Sequence, residues 1–193
     1  MREEYKAIID AGLSLQLDDP AIGESWDQSK EQPSVEGYRR YTKPCLDVLN
    51  HALRGLPSER IRFHLCWGSW HGPHVTDIPM KHLIDLMLTV NADYYSFEAA
   101  NVRHEHEWKL WKDIKLPAGK KILPGVVSHS TNLIEHSDLI ADRIIRFAEA
   151  VGRDNVIAST DCGLGGRVHP AVAWAKLEAL SEGASLATER LRH

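Results

Sequence analysis

His64 and Cys66 stand one residue apart at the end of an apolar run, and their types and spacing admit metal chemistry. Alternate residues of a strand share a face, so Arg62-Phe63-His64-Leu65-Cys66 sets an imidazole and a thiol on the same side. Glu98 closes a second apolar run, Tyr94-Tyr95-Ser96-Phe97, and Cys162 follows a third, Val156-Ile157-Ala158-Ser159-Thr160. One imidazole, two thiolates and one carboxylate make a mixed nitrogen, sulfur and oxygen donor set that suits zinc. A His-x-Cys pair on a strand also serves as ordinary buried packing, since an unligated cysteine behaves as a small hydrophobe. What favours the metal is the recurrence of possible ligands at successive strand ends. Three such strands, parallel and side by side, bring their C-terminal ends to one place, where α/β barrels keep their chemistry.

The elements that must position these residues alternate between helical and strand patterning. Residues 1–11 read as an amphipathic helix stopped by Gly12. A strand over 13–17 leads into Gln16-Leu17-Asp18-Asp19-Pro20, whose two acids serve either as a turn and helix cap or as a carboxylate aimed into a pocket. Residues 21–33 read as a polar loop or lid-like insertion, and a helix follows over Val35–Leu53 with Ser34 as N-cap, kinked or divided by Pro44. Cys45, among Leu46, Val48 and Leu49, is expected to be a buried structural thiol. After the strand over 60–66 comes a glycine-rich aromatic loop, 67–74, in which His71 and His74 are expected to face substrate or solvent.

An apolar helix over 79–90 supplies core, and a strand over 93–97 carries Glu98 at its end. The string His104-Glu105-His106-Glu107 lacks the i, i+4 histidine pair of helical zinc sites and reads as local polar contacts before a short helix over 108–116. A strand over Lys121–Val127 contains Pro124-Gly125, the mark of a bulge or barrel bend, and runs into the polar segment Ser128-His129-Ser130-Thr131-Asn132. Ser137 or Asp138 caps a long helix closed by Gly152. A last strand over 155–160 leads to Asp161-Cys162-Gly163-Leu164, and a helix over 170–191 follows.

The totals set bounds. At 193 residues the chain has room for one domain, 1–193, with its own core. A formal net charge of −4 with no basic run argues against nucleic-acid binding. No leader pattern and no apolar run of bilayer length is present, so no membrane is expected. Three cysteines cannot all pair within one chain, and reduced thiols in the cytoplasm are the simplest expectation.

The order of these motifs resembles the catalytic C-terminal barrel of cobalamin-independent methionine synthase. The shared features are Gln16-Leu17-Asp18-Asp19-Pro20, His64-x-Cys66, a strand-closing Glu98, Pro124-Gly125-Val126-Val127 and Asp161-Cys162-Gly163-Leu164. Cys66-Trp67-Gly68, Gly72-Pro73-His74, Asn101–Trp108 and the 132–136 stretch are closest to the epoxyalkane:coenzyme M transferase-like branch of that superfamily. The resemblance implies parallel βα units of a (β/α)8 barrel, with His64, Cys66, Glu98 and Cys162 as zinc ligands. Asp18 matches the acid that holds the amino group of homocysteine; in the coenzyme M branch the thiol has a sulfonate and no amine, and Asp18 needs another role. Asp161, His129 and His74 are candidates for hydrogen bonds behind the ligands or for substrate contacts, and Asp18 and His129 are the expected catalytic side chains.

The implied activity is zinc-dependent methyl or alkyl transfer from an alkyl donor to a small thiol, of the methionine synthase kind. A coenzyme M-type thiol alkyltransferase is the alternative, as is a non-catalytic zinc-binding remnant or subunit. A complete barrel has eight βα units in about 250 residues, whereas five strands are legible here and match the last five. The expectation is therefore a fragment, or a chain whose barrel is completed by a homo-oligomer or partner chain.

Overall fold

Among the described residues, five of the apolar runs become strands: β1 (Leu15–Asp19), β2 (Ile61–Leu65), β3 (Tyr94–Phe97), β4 (Lys121–Val127) and β5 (Ser159–Thr160). The computed structural model describes residues 1–29, 31, 33–68 and 75–192; His71 and His74 lie outside them. The strands form one parallel sheet in chain order, β1-β2-β3-β4-β5, in the α/β class expected for the C-terminal part of a (β/α)8 barrel. Parallel neighbours need long crossovers. They are supplied by α2 (Ala21–Asp27) with α3 (Val35–Leu53), by α4 (Ile84–Met87) behind a short 3-10 turn at Met80–His82, by a 3-10 stretch at Glu105–Lys112, and by α5 (Ser137–Val151). Helix α1 (Arg2–Asp10) precedes the sheet and α6 (Pro170–Arg190) follows it.

The chain divides into two compact units, residues 1–68 with 75–95, and residues 96–192. In the first, β1 and β2 pair from Leu15 with Ile61 to Asp19 with Leu65, which sets Asp18 beside His64. Ser34 caps α3 by accepting from the Gly37 N–H, and the helix runs unbroken through Pro44. Its inward stripe is Tyr38, Thr42, Leu46 and Leu53. Cys45 lies beside that stripe and is exposed, not the buried thiol expected from its apolar neighbours. Tyr38 donates its hydroxyl to Ile22 O at 2.8 Å and Ala21 O at 3.1 Å, and Trp26 meets its ring edge-on at 5.3 Å. These contacts dock α2 onto α3, so the first part of the expected loop is a helix.

The expected helix over 79–90 is broken. Leu83 takes φ −120° between the 3-10 turn and the four residues of α4. Met80, Leu83, Ile84, Leu86, Met87 and Val90 are nonetheless core.

In the second unit β4 pairs with β5, and the register shifts between Gly125 and Val127, which is the irregularity that Pro124-Gly125 signals. The core here is Val126, Val127, Ile140, Ala141, Ile144 and Ala187. Burying a Val or Ile side chain fully contributes about 1.5–3 kcal/mol. Helices α5 and α6 touch at Gly183, where a Cβ would stand 2.5 Å from Ile140 Cγ2. Phe97 stacks on Trp111 at 5.0 Å and meets Phe147 edge-on at 5.9 Å. The cap of α5 is His136, whose ring accepts from Asp138 N–H, in place of Ser137 or Asp138; Gly152, at φ 91°, ends the helix as expected. The last strand is shorter than its apolar run: Val156 forms a single bridge to Ile122, and ladder pairing resumes only at Ser159.

Candidate metal centre

His64 lies in β2, and Cys66 is the first residue beyond it. The His64 ring and Cys66 Sγ present ligand atoms within 4.8 Å of each other, and both residues are buried. The backbone after them is held by Trp67, whose indole N–H donates to Ile78 O at 2.8 Å. Gly23 of α2 lies against the same turn. A Cβ there would stand 2.5 Å from the Cys66 carbonyl oxygen, so the helix can approach only without a side chain.

The two acids ending β1 separate in role. Asp19 is half-buried and takes the backbone N–H groups of Ala21 and Ile22, the cap arrangement, while burial pushes its carboxyl above the ordinary range. Asp18, exposed and in register with His64, accepts from Gln16 Nε2 at 2.6 Å.

The second unit holds its own donor group. Glu98, His129 and Asp161 are all buried, and one ligand atom of each lies within 4.8 Å of the others. Asp161 Oδ1 accepts the N–H groups of Ala99 and Ala100, both at 2.7 Å. Asn101 Nδ2 donates to Glu98 Oε2 at 2.7 Å and to Asp161 Oδ2 at 3.2 Å. Burial pushes the Asp161 carboxyl up to about 6, against the opposing pull of those hydrogen bonds and of His104. Its own N–H donates to Val127 O at 2.8 Å, and the half-buried Cys162 comes next in the chain. Ala100 is held from its other side as well: Arg143 of α5 donates to Ala100 O at 3.3 Å, to Val126 O at 3.0 Å and to Glu105.

The histidine-glutamate string divides, Glu105 going to Arg143 of α5 and His104 pairing within the string. His104 Nδ1 and Glu107 Oε2 are 2.8 Å apart, and both residues are buried. Sequence reasoning missed the roles of Asn101, Arg143, Glu135 and Lys176. For Lys176 a signal existed: it occupies the inward stripe of α6, Val172, Lys176, Leu180, Gly183 and Ala187, where an apolar residue is the norm.

The family described as the cobalamin-independent synthase catalytic domain matches residues 1–185. The chain belongs to that family. A relative from Xanthobacter autotrophicus, 2-hydroxypropyl-CoM lyase, is 25% identical over 172 residues, covering 76% of this chain and 46% of that protein. The fold matches a B12-independent methionine synthase from Shewanella sp. W3-18-1, solved in complex with selenomethionine, at TM-score 0.74 and 24% identity, covering 98% of this chain and 53% of that one. It also matches a putative vitamin-B12 independent methionine synthase from Listeria monocytogenes at TM-score 0.61 and 21% identity, covering 97% and 52%. The cobalamin-independent synthase domain seen here thus spans about half the length of these relatives. None of its described helices is long and apolar enough to cross a membrane.

Proposed function

We propose that this family member takes part in zinc-dependent transfer of a methyl or other alkyl group to a small thiol, homocysteine-like in the leading reading. The observation that carries the reading is the His64–Cys66 donor pair at the end of β2, in a chain of this family. His64, Cys66, Glu98 and Cys162 are the residues that would hold the metal. The donor set fits it: an imidazole, two thiolates and a carboxylate are common zinc ligands. Zinc, when bound, acidifies a thiol so that it is present as thiolate at neutral pH.

In this reading Asp18 holds the cationic amine of the thiol substrate, and its exposed carboxylate at a strand end suits that task. His129 contacts substrate from the end of β4. Asn101 fixes Glu98 by the 2.7 Å hydrogen bond and keeps its carboxylate from turning away. Asp161 holds the turn after Glu98 through the Ala99 and Ala100 N–H groups.

A second reading is favoured by the likeness to 2-hydroxypropyl-CoM lyase. There the thiol is of the coenzyme M type, with a sulfonate in place of the amine, and Asp18 is not a substrate anchor. The test is turnover by zinc-loaded chain of homocysteine against 2-mercaptoethanesulfonate, each with alkyl donors, read by mass of the thioether product. Alkylation of homocysteine that falls with Asp18→Asn supports the first reading. Alkylation of the sulfonate thiol alone supports the second. No product from either, with metal fully loaded, leaves a zinc-binding subunit or remnant without turnover of its own.

A further inference from the structure

Lys176 lies in the middle of α6 with its side chain 0% exposed. Burying an ammonium costs several kcal/mol unless it is paired and hydrogen-bonded, so its partners define what it does. Its Nζ donates to Leu133 O at 2.5 Å and to Glu135 Oε2 at 2.8 Å. The other oxygen of the same carboxylate, Glu135 Oε1, accepts the backbone N–H of Ser128 at 2.8 Å. Ser128 is the first residue beyond β4, and His129 is the next. Within the turn, the Ser128 and Ser130 hydroxyls are 2.9 Å apart, and the Ser130 N–H donates to Ser128 Oγ at 3.2 Å.

We infer that the buried Lys176–Glu135 pair is a positioning clamp for His129. The ammonium fixes one oxygen of Glu135, the second oxygen fixes the Ser128 amide, and the backbone leaving β4 is thereby set one residue before the imidazole. Both Ser128 and His129 are almost fully buried, so a displaced Ser128 amide has no water to turn to. The clamp holds the segment 128–135 at both ends, and through it α6 sets the position of a ring that belongs to the donor group with Glu98 and Asp161. The geometry stands apart from the proposed reaction; only the importance of placing His129 rests on that reading.

The test separates placement from stability. Lys176→Met alone leaves a buried, unpaired carboxylate and is expected to destabilise the chain. The double variant Lys176→Met with Glu135→Met replaces the pair by apolar groups of similar length, a change that is often near neutral for folding. Because the Ser128 N–H and Leu133 O lose their partners with it, the melting temperature is expected to fall modestly while the transition stays cooperative. Exchange of the Ser128 amide is expected to speed up at least tenfold, with the amides of Ile144 and Phe147 in α5 unaltered and the His129 ring resonances shifted or broadened. Where the zinc-loaded chain turns over, the rate should fall with the same variant. Unchanged Ser128 protection and unchanged His129 resonances in a folded double variant overturn the clamp, as does an equal loss of protection throughout α5. A chain that shows no turnover but passes the exchange and resonance test defeats the proposed function and not the clamp.

Discussion

A Cβ on Gly125 would stand 2.2 Å from Asp161 Oδ1 and 2.4 Å from the Asp161 Cα, closer than real Cβ contacts come. The close approach brings the Asp161 carboxylate to the N–H groups of Ala99 and Ala100. It also coincides with the register shift in β4. The bend in β4 and the fixing of the turn after Glu98 are one arrangement, and glycine is what permits it.

Gly125→Ala is therefore expected to destabilise the chain by about 1–3 kcal/mol, the range for overpacking a closed site. Gly165→Ala is the control, because a Cβ there meets nothing within 4 Å and the backbone is not left-handed; its effect should stay within about 0.5 kcal/mol. Urea unfolding of the two variants checks both, and equal midpoints would remove the steric argument.

The metal assignment makes a separate prediction. Purified chain should carry about one zinc. Cys66→Ser and Cys162→Ser should each lose most of it, since thiolates supply much of the affinity of such a site. Cys45→Ser should lose none. Metal analysis after dialysis decides the matter, and full retention in both Cys66 and Cys162 variants would sink the ligand set.

What was legible in the sequence followed from local punctuation. Strand β4 has the bounds its sequence indicates, Lys121–Val127, because the apolar run is interrupted only by Pro124-Gly125, and Gly152 marks the end of α5. The proximity of His64 and Cys66 is legible because a strand's alternation is short-range geometry. What failed was set by distant contacts. Residues 21–33 read as a loop because they are polar and include Gly23, yet 21–27 are helical and Gly23 admits the Cys66 carbonyl. In the 79–90 segment the polar residues Lys81, Asp85 and Thr89 recur at helical spacing, so periodicity indicates one unbroken helix and cannot show the break at Leu83. The clamp on Ser128 joins residues 41 and 7 apart in the chain, and no local pattern announces it.

Alkaline pH should weaken the first unit through Tyr38. Burial pushes its phenol up to about 12, while an unfolded tyrosine titrates near 10. The folded chain holds the proton more tightly, so this contribution is whole below about pH 10 and is lost as pH rises from there toward 12. Ionised, Tyr38 can no longer donate to Ile22 O and Ala21 O. Urea midpoints between pH 9 and 11.5 should fall more steeply for the original chain than for Tyr38→Phe. Parallel curves would show that the hydroxyl does not contribute in this way.

Association is the fourth expectation. In the order β1-β2-β3-β4-β5 the first and last strands are edges among the described residues, and unpaired edges template pairing with other chains. Leu133 and Trp174 add exposed apolar surface, at 77% and 69%. We propose that the chain forms a homo-oligomer, or takes a partner chain that completes the barrel. Light scattering at micromolar concentration checks this; a monomer that melts cooperatively would count against it.

The solvent-facing position of Cys45 on α3 has a practical side. In air, two chains can join through that thiol, and the resulting covalent dimer would imitate a genuine assembly unless reductant or Cys45→Ser is used. The same exposure makes Cys45 a natural address for one fluorophore or spin label, because Cys66 is sheltered from reagent and Cys162 partly so. A dye placed there reports on the outer side of α3 without touching the thiols on which the proposed chemistry depends.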